Sequence, residues 1–175
     1  MLELILGGAR SGKSSYAENK AQAYSQVLYL ATAQIKDEEM EYRIKLHRKR
    51  RPEEWITLEK YKDFEAEDFS EAKVVLIDCL TLMVTGIFFD EDRSHYDDEA
   101  FARLEDEIWL EIENLLNLTG NKDVFIVSNE IGLGLVPEDP ISRVFRDMLG
   151  RFHQRIALRA DKVSFIVAGI AMVVK

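Results

Sequence analysis

The sequence predicts an α/β fold: a mostly parallel sheet with helices on both faces, finished by an antiparallel C-terminal strand. Three observations carry this prediction. Short apolar, β-branched runs alternate with stretches of helical periodicity, the pattern of strands joined by helical crossovers. A glycine-rich loop separates the first such run from the first helix. The last run follows Gly169 closely enough to be the hairpin partner of the one before it.

Taken in order, strands are predicted at Leu2 to Leu6, Val27 to Ala31, Val74 to Ile77, Val124 to Val127, Val163 to Val167 and, antiparallel, Ala171 to Val174. Between the second and third, Asp37 to Arg51 reads as a helix with acids in its first turn and bases in its last, which suits the helix dipole. Pro52 disfavours helical geometry at Arg51 and marks its end. From Phe101 through Leu104, Ile108, Ile112 and Leu115, apolar spacings of three and four with glutamates between them predict an amphipathic surface helix. Asp139 can cap, and Pro140 open, a long helix carrying Ile141, Val144, Phe145, Met148, Phe152 and Ile156. Its arginines, Arg143, Arg146, Arg151 and Arg155, read as solvent-facing or as subunit contacts. The acidic, aperiodic stretch Asp90 to Glu99 reads as a surface loop.

Length and composition narrow the function classes. At 175 residues the chain suits one well-buried domain spanning residues 1–175. A hydrophobic content of 47% with 31% charged residues is that of a soluble globular protein, and no apolar run reaches the ~20 residues of a membrane span. Met1 to Leu6 is too short, and lacks the basic start, to be a secretory signal. Cys79 has no cysteine partner, so a reducing cytoplasm is the natural setting, and a small buried apolar role fits it better than a nucleophile's. A net charge of −9 argues against a nucleic-acid binder, so anion binding must be local.

Two segments can supply local anion binding. Gly7-Gly8-Ala9-Arg10-Ser11-Gly12-Lys13-Ser14 spells a phosphate-binding loop, G-x-x-x-x-G-K-S, directly after a strand. Its glycines let backbone N–H groups turn inward on a phosphate, and the following helix points its positive end at the same anion. Lys13 is placed for the β- and γ-phosphates, and Ser14 offers a hydroxyl to Mg²⁺. The second segment is Arg48-Lys49-Arg50-Arg51. Arg43, His47 and Arg50 or Arg51 recur at spacings of four and three or four, on one helix face. Two readings fit this stripe. In one, guanidinium groups bind phosphates and hold a neutral imidazole for phosphate chemistry; in the other, it is a solvated basic face with an ordinary histidine.

Further candidates stand at strand ends. Val74 to Asp78 is an apolar strand ending in a carboxylate, the arrangement that presents an acid to the metal beside a phosphate loop, which makes Asp78 the metal-side carboxylate. Ser128-Asn129-Glu130 follows another strand and leads into Gly132 and Gly134. Strand C-termini in open α/β sheets face the ligand crevice, so Asn129 and Glu130 are candidates for the acceptor substrate, against the plainer reading of a flexible loop. His95 and His153 read as surface residues, with no metal-ligand spacing to each other or to Cys79.

These residues together resemble a known family. The loop Gly7 to Ser14, Tyr29-Leu30-Ala31-Thr32-Ala33-Gln34, Glu39-Met40 with Arg43-Ile44 and His47, Arg51-Pro52 with Trp55, Thr81 with Met83-Val84-Thr85, Ser128-Asn129-Glu130 with Gly132, Gly134 and Val136-Pro137, Phe145-Arg146-Asp147 with Gly150, and Gly169-Ile170 are similar to the bifunctional adenosylcobinamide kinase / adenosylcobinamide-phosphate guanylyltransferases of cobalamin biosynthesis. The resemblance runs from the first strand to the last. It implies a three-layer, RecA-like P-loop NTPase fold and two steps: phosphorylation of adenosylcobinamide by ATP or GTP, then transfer of GMP from GTP through a histidine to the new phosphate. It implies further that His47 is the guanylylated residue. Implied nucleotide contacts are Gly7, Gly8, Ala9, Arg10, Ser11, Gly12, Lys13, Ser14, Ala31, Thr32, Ala33, Arg48, Lys49, Arg50, Arg51, Glu59 and Thr81. A homotrimer whose subunits share nucleotide sites is implied as well. Relatives can carry Glu where this chain has Asp78, whose shorter arm would meet the metal through water. Two other classes stand beside this reading: a simple P-loop small-molecule kinase without guanylyl transfer, and a nucleotide-dependent interaction switch.

Overall fold

A computed structural model describes residues 1–34, 48 and 51–175. The predicted helix at Asp37 to Arg51 therefore lies outside the described residues, apart from Arg48 and Arg51. The described elements run β1 (Leu2–Gly7), α1 (Lys13–Ala21), β2 (Val27–Ala31), β3 (Ile56–Glu59), a short 3-10 turn (Ala66–Phe69), β4 (Val74–Asp78), α2 (Leu80–Phe88), α3 (Asp98–Thr119), β5 (Asp123–Asn129), α4 (Pro140–Arg159), β6 (Lys162–Val167) and β7 (Ile170–Val173).

The strands form one seven-stranded sheet in the order β3-β2-β4-β5-β1-β6-β7. Every pairing is parallel except that of β6 with β7, which turn through Ala168 and Gly169 into the predicted antiparallel hairpin. Parity along the strands sorts the two faces. Leu4, Leu30, Ile77 and Ile126 pack with residues of α2, α3 and α4, whereas Ile5, Tyr29, Leu76 and Phe125 pack against Ala17 and Ala21 of α1. Successive strand side chains point to opposite faces, so buried strands covered on both sides read as continuous apolar runs. The three-layer α/β architecture is the one the sequence predicts.

Besides the short 3-10 turn, the structure adds a strand and a helix. β3 is a four-residue edge strand with exposed Ile56, Thr57 and Glu59, too short and polar to stand out as a buried run. α2 is apolar nearly all round, because β5 covers one side and α3 and α4 the other, and it therefore shows no amphipathic stripe. The stretch Asp90 to Glu99 needs a partial correction. α3 begins at Asp98, capped by the Asp97 carboxylate, which accepts the Ala100 N–H at 2.8 Å. Arg93 is buried, bonded to Asp90, to Glu91 and to the carbonyls of Phe88 and Ile87, and so pins the loop to the end of α2.

The arginines of α4 are spent locally. Arg151 pairs bidentately with Glu105, Arg155 stacks over Trp109, and Arg143 donates to the carbonyls of Pro137 and Glu138. Asp139 caps this helix by accepting the Ser142 N–H at 2.7 Å, as its position before Pro140 predicts. His95 is exposed as expected, but the reading of His153 as a surface residue is overturned. It is 6% exposed, because its side of α4 faces β5, not water.

Candidate phosphate-loop site

Sheet register brings the sequence candidates to one edge. Gly7 at the end of β1 pairs with Asn129 at the end of β5; Asp78 at the end of β4 pairs with Val127 and with Ala31, and Ala31 with Glu59. The phosphate loop, Asp78, Ala31 to Ala33, Glu59, Thr81, Asn129 and Glu130 thus all border the C-terminal edge of the sheet. That edge is where open α/β sheets bind ligands.

The loop has no room for side chains where its glycines stand. A Cβ on Gly7 would lie 2.5 Å from Ser11 Oγ and 2.7 Å from the Ile166 carbonyl. Gly12 has φ of 92° and sits at the N-cap of α1, so the chain enters the helix from the left-handed region that favours glycine. The β6–β7 turn braces the loop from outside, with the Gly169 N–H donating to the Ser11 carbonyl at 2.8 Å. Lys13 is buried and donates from Nζ to the Gly8 carbonyl at 3.1 Å, curled over the loop it would share with a phosphate. Burial holds its pKa below the usual lysine value, against the pull of Cys79 and Asp78.

Asp78 is the hinge between loop and sheet. The Ser14 hydroxyl donates to its Oδ1 at 3.2 Å, and the Tyr29 hydroxyl to its Oδ2 at 2.5 Å. Tyr29 is buried, and burial and Asp78 raise its pKa, so it stays a donor. The Arg51 guanidinium lies 3.4 Å from the centre of the Tyr29 ring, with Nε and Nη1 buried and unpartnered, and Trp55 stacks beyond the tyrosine. Arg48 ion-pairs with Glu59, and both residues border an open groove of about 450 Å³ that Arg51 and Trp55 also line. Glu53 and Glu59 balance the two arginines of this lining, so the unpartnered Arg51 guanidinium beside Tyr29 and Trp55, and not the groove as a whole, suits an anionic ligand that carries a planar ring.

Thr32 ties β2 to the residue after Asp78. Its hydroxyl donates to the Cys79 carbonyl at 2.7 Å and accepts the Cys79 N–H at 2.9 Å. Burial pushes the Cys79 thiol up to about 12, which agrees with an inert core residue. Thr81, on the first turn of α2, accepts the Asn129 N–H at 2.8 Å. The Glu130 N–H donates to the Gly7 carbonyl at 3.0 Å, and Glu130 Oε1 accepts the Gly132 N–H at 2.5 Å. Asn129 and Glu130 therefore sit beside the phosphate loop, and Asn129 Oδ1 is buried without a partner.

His47, Lys49 and Arg50 lie outside the described residues. Sequence reasoning assigned no role to Tyr29, Trp55 or Ser128. The one signal for Tyr29 was a phenol within an apolar strand, whose hydroxyl must find a partner when buried. Among the described residues no group of three or more His, Cys, Asp or Glu side chains could hold a metal alone. Ser14 and Asp78, two hard oxygen donors in contact, are placed to hold a divalent cation only together with a ligand's phosphates.

A glycine-built loop between β1 and α1, a lysine folded over it, and a serine bonded to the carboxylate ending β4 define a P-loop NTPase-type nucleotide protein. The profile of the family described as cobinamide kinase / cobinamide phosphate guanyltransferase matches residues 3–174. The chain belongs to this family, and it is a transferase combining kinase and nucleotidyltransferase activities. It is similar to proteins named bifunctional adenosylcobalamin biosynthesis protein: CobU of Escherichia coli (41% identical, 100% of both chains), CobU of Salmonella typhimurium (39%, 100% of both) and CobP of Pseudomonas aeruginosa (45%, 100% of this chain and 98% of the other).

Proposed function

We propose that the chain phosphorylates adenosylcobinamide with ATP or GTP at the Gly7 to Ser14 loop and then transfers GMP from GTP to the new phosphate by way of His47. The observation that carries this reading is the gathering of Lys13, Ser14 and Asp78 at one sheet edge, next to Asn129 and Glu130. In the first step the acceptor hydroxyl attacks the γ-phosphorus and gives up its proton to an oxygen of the transferred phosphoryl group, the bond to the β-phosphate oxygen breaks, and Lys13 balances the charge carried off by the nucleoside diphosphate. Asn129 and Glu130 border the acceptor. Ser14 and Asp78 would hold a Mg²⁺ ion together with the nucleotide, and the ion would supply charge neutralisation at the phosphates.

In the second step His47 attacks the α-phosphorus of GTP and pyrophosphate leaves. A phosphate oxygen of the kinase product then displaces the imidazole, giving adenosylcobinamide-GDP. The guanidiniums of Arg48, Arg50 and Arg51, with Lys49, bind the triphosphate in this reading, and Ala31, Thr32, Ala33, Glu59 and Thr81 contact the nucleotide. Support comes from the unpartnered Arg51 donors over Tyr29 and from the groove beside them.

The same reading places the chain in the cytoplasm as a homotrimer. No helix among the described residues is long and apolar enough to cross a membrane. Ile170, Met172 and Val173 stand exposed on β7 at the sheet edge, as do Leu133 and Leu135 in the loop after β5. Neighbouring copies of the chain would cover such apolar, unpaired backbone.

The test is incubation with GTP labelled in its α-phosphate. Label should become protein-bound, survive base, break in mild acid, discharge on addition of adenosylcobinamide phosphate, and be absent from His47→Ala. A His47→Ala protein that still takes up label would remove the histidine from the mechanism, and kinase activity without any adduct would leave a simple kinase.

A further inference from the structure

His153 is a buried titratable side chain that none of these steps uses. From α4 its Nε2 lies 2.7 Å from Ser128 Oγ on β5, and Ser128 Oγ lies 2.9 Å from Thr81 Oγ1 on α2. Thr81 Oγ1 in turn accepts the Asn129 N–H, and Asn129 is the register partner of Gly7. The other ring nitrogen, Nδ1, faces Glu130 Oε2 at 3.8 Å. An imidazole and two hydroxyls thus form an unbroken buried relay from the back of the sheet to the rim of the phosphate loop. Apolar side chains would fill the same space without the desolvation cost, so the relay's use must lie in orientation.

The chain of bonds can run in either direction, and the charge of Glu130 beside Nδ1 selects one of them. Burial keeps His153 neutral at pH 7, with one ring hydrogen. The Glu130 carboxylate favours that hydrogen on Nδ1, which leaves the Nε2 lone pair to accept from Ser128. With its hydrogen spent, Ser128 Oγ accepts from Thr81. Thr81 has then spent its own hydrogen and one lone pair, and it keeps a single acceptor lone pair.

We propose that His153 is a positioning residue: through Ser128 it holds the Thr81 hydroxyl as an acceptor, matched to a ribose hydroxyl or base N–H of the nucleotide and not to a phosphate oxygen. The inference rests on the reading that a nucleotide binds above these strand ends. Replacing His153 by Phe frees the Ser128 hydrogen to turn onto Thr81, and Ser128→Ala frees the Thr81 hydrogen directly. Either change puts a hydrogen where the nucleotide presents one.

Titration with GTP and, separately, with inorganic tripolyphosphate tests this. His153→Phe and Ser128→Ala should each raise the Kd for GTP about tenfold, the scale of one buried hydrogen bond, and leave the Kd for tripolyphosphate unchanged. The double variant should be no worse than the worse single, because both act through one chain of bonds. His153→Gln, whose side-chain oxygen can accept from Ser128, should restore most of the affinity. Equal losses for GTP and tripolyphosphate, unchanged GTP binding, additive effects, or unfolding of both single variants in a Tm measurement would each overturn the proposal. Lys13→Ala separates the two layers: if it binds both ligands normally, the phosphate-loop reading itself fails. Loss of both ligands with His153→Phe and Ser128→Ala unaffected sinks the relay alone.

Discussion

The Ser14 hydroxyl donates to Asp78 Oδ1 at 3.2 Å, joining the first turn of α1 to the end of β4 across a strand that is neither residue's own. β5 lies between β1 and β4, so these residues, 64 apart in sequence, meet only because the sheet order sets the ends of β1 and β4 on either side of β5, Gly7 against Asn129 and Asp78 against Val127. This contact is what makes a strand-terminal aspartate a candidate for metal-side chemistry and not merely a turn former.

Asp78→Asn removes the charge and keeps the shape. Phosphoryl transfer should fall by about 10²-fold or more, and the Mg²⁺ concentration for half-maximal rate should rise. A Mg²⁺ titration of the kinase step measures both, and an unchanged curve would make the carboxylate purely structural.

Lys13→Ala should lower the kinase rate by roughly 10²–10³-fold, the scale of a removed transition-state charge partner. It should not destabilise the fold. Burial holds the Lys13 pKa below its unfolded value, so the unfolded chain binds that proton more strongly, and stability rises with pH toward the ordinary lysine value of ~10.4. Losing the group removes a cost. Thermal melts at pH 7 should show Lys13→Ala at or above the wild-type Tm, whereas a marked drop would contradict the burial argument.

Gly7→Ala should damage the loop more than the fold. The added methyl meets Ser11 Oγ and the Ile166 carbonyl inside van der Waals contact, so the loop must move. Overpacking of this kind costs about 1–3 kcal/mol, and nucleotide affinity should fall more than tenfold. Equilibrium binding of a non-hydrolysable GTP analogue, set beside a urea melt, separates the two effects.

Glu3 tests the fold away from the site. It is fully buried on β1, where burial pushes its pKa up but bonds from Lys20 and Ser164 and the charge of Lys162 bring it net below the usual value. The unfolded chain takes up that proton first as pH falls, so stability from Glu3 is present above the ordinary glutamate pKa of ~4.3 and is lost as pH drops through the folded value. Glu3→Gln should cost about 2 kcal/mol at pH 7, less than a wholly buried pair, since Lys20 and Lys162 are 30% and 31% exposed. Urea melts at pH 7 and pH 3.5 should show this gap narrowing in acid; a constant gap would refute the charge argument.

The sequence by itself determined most of the fold and the phosphate loop, because both are written in local pattern. Buried parallel strands read as apolar runs, and G-x-x-x-x-G-K-S after such a run names its own geometry. It missed β3, whose pairing with β2 supplies what four mostly exposed residues lack, and α2, whose all-round burial erases the period of an amphipathic helix. Spacing along α4 put His153 on a polar side, yet its helical neighbours Leu149 and Ile156 are both buried, so that side faces inward and Ser128 gives the imidazole its partner. Tyr29 on Asp78, Arg51 over Tyr29, and the relay from His153 to Thr81 join residues 22 to 72 positions apart, or link through a third residue. Only the tertiary structure decided those contacts, because strand order and register, not local propensity, choose which side chains meet at the sheet edge.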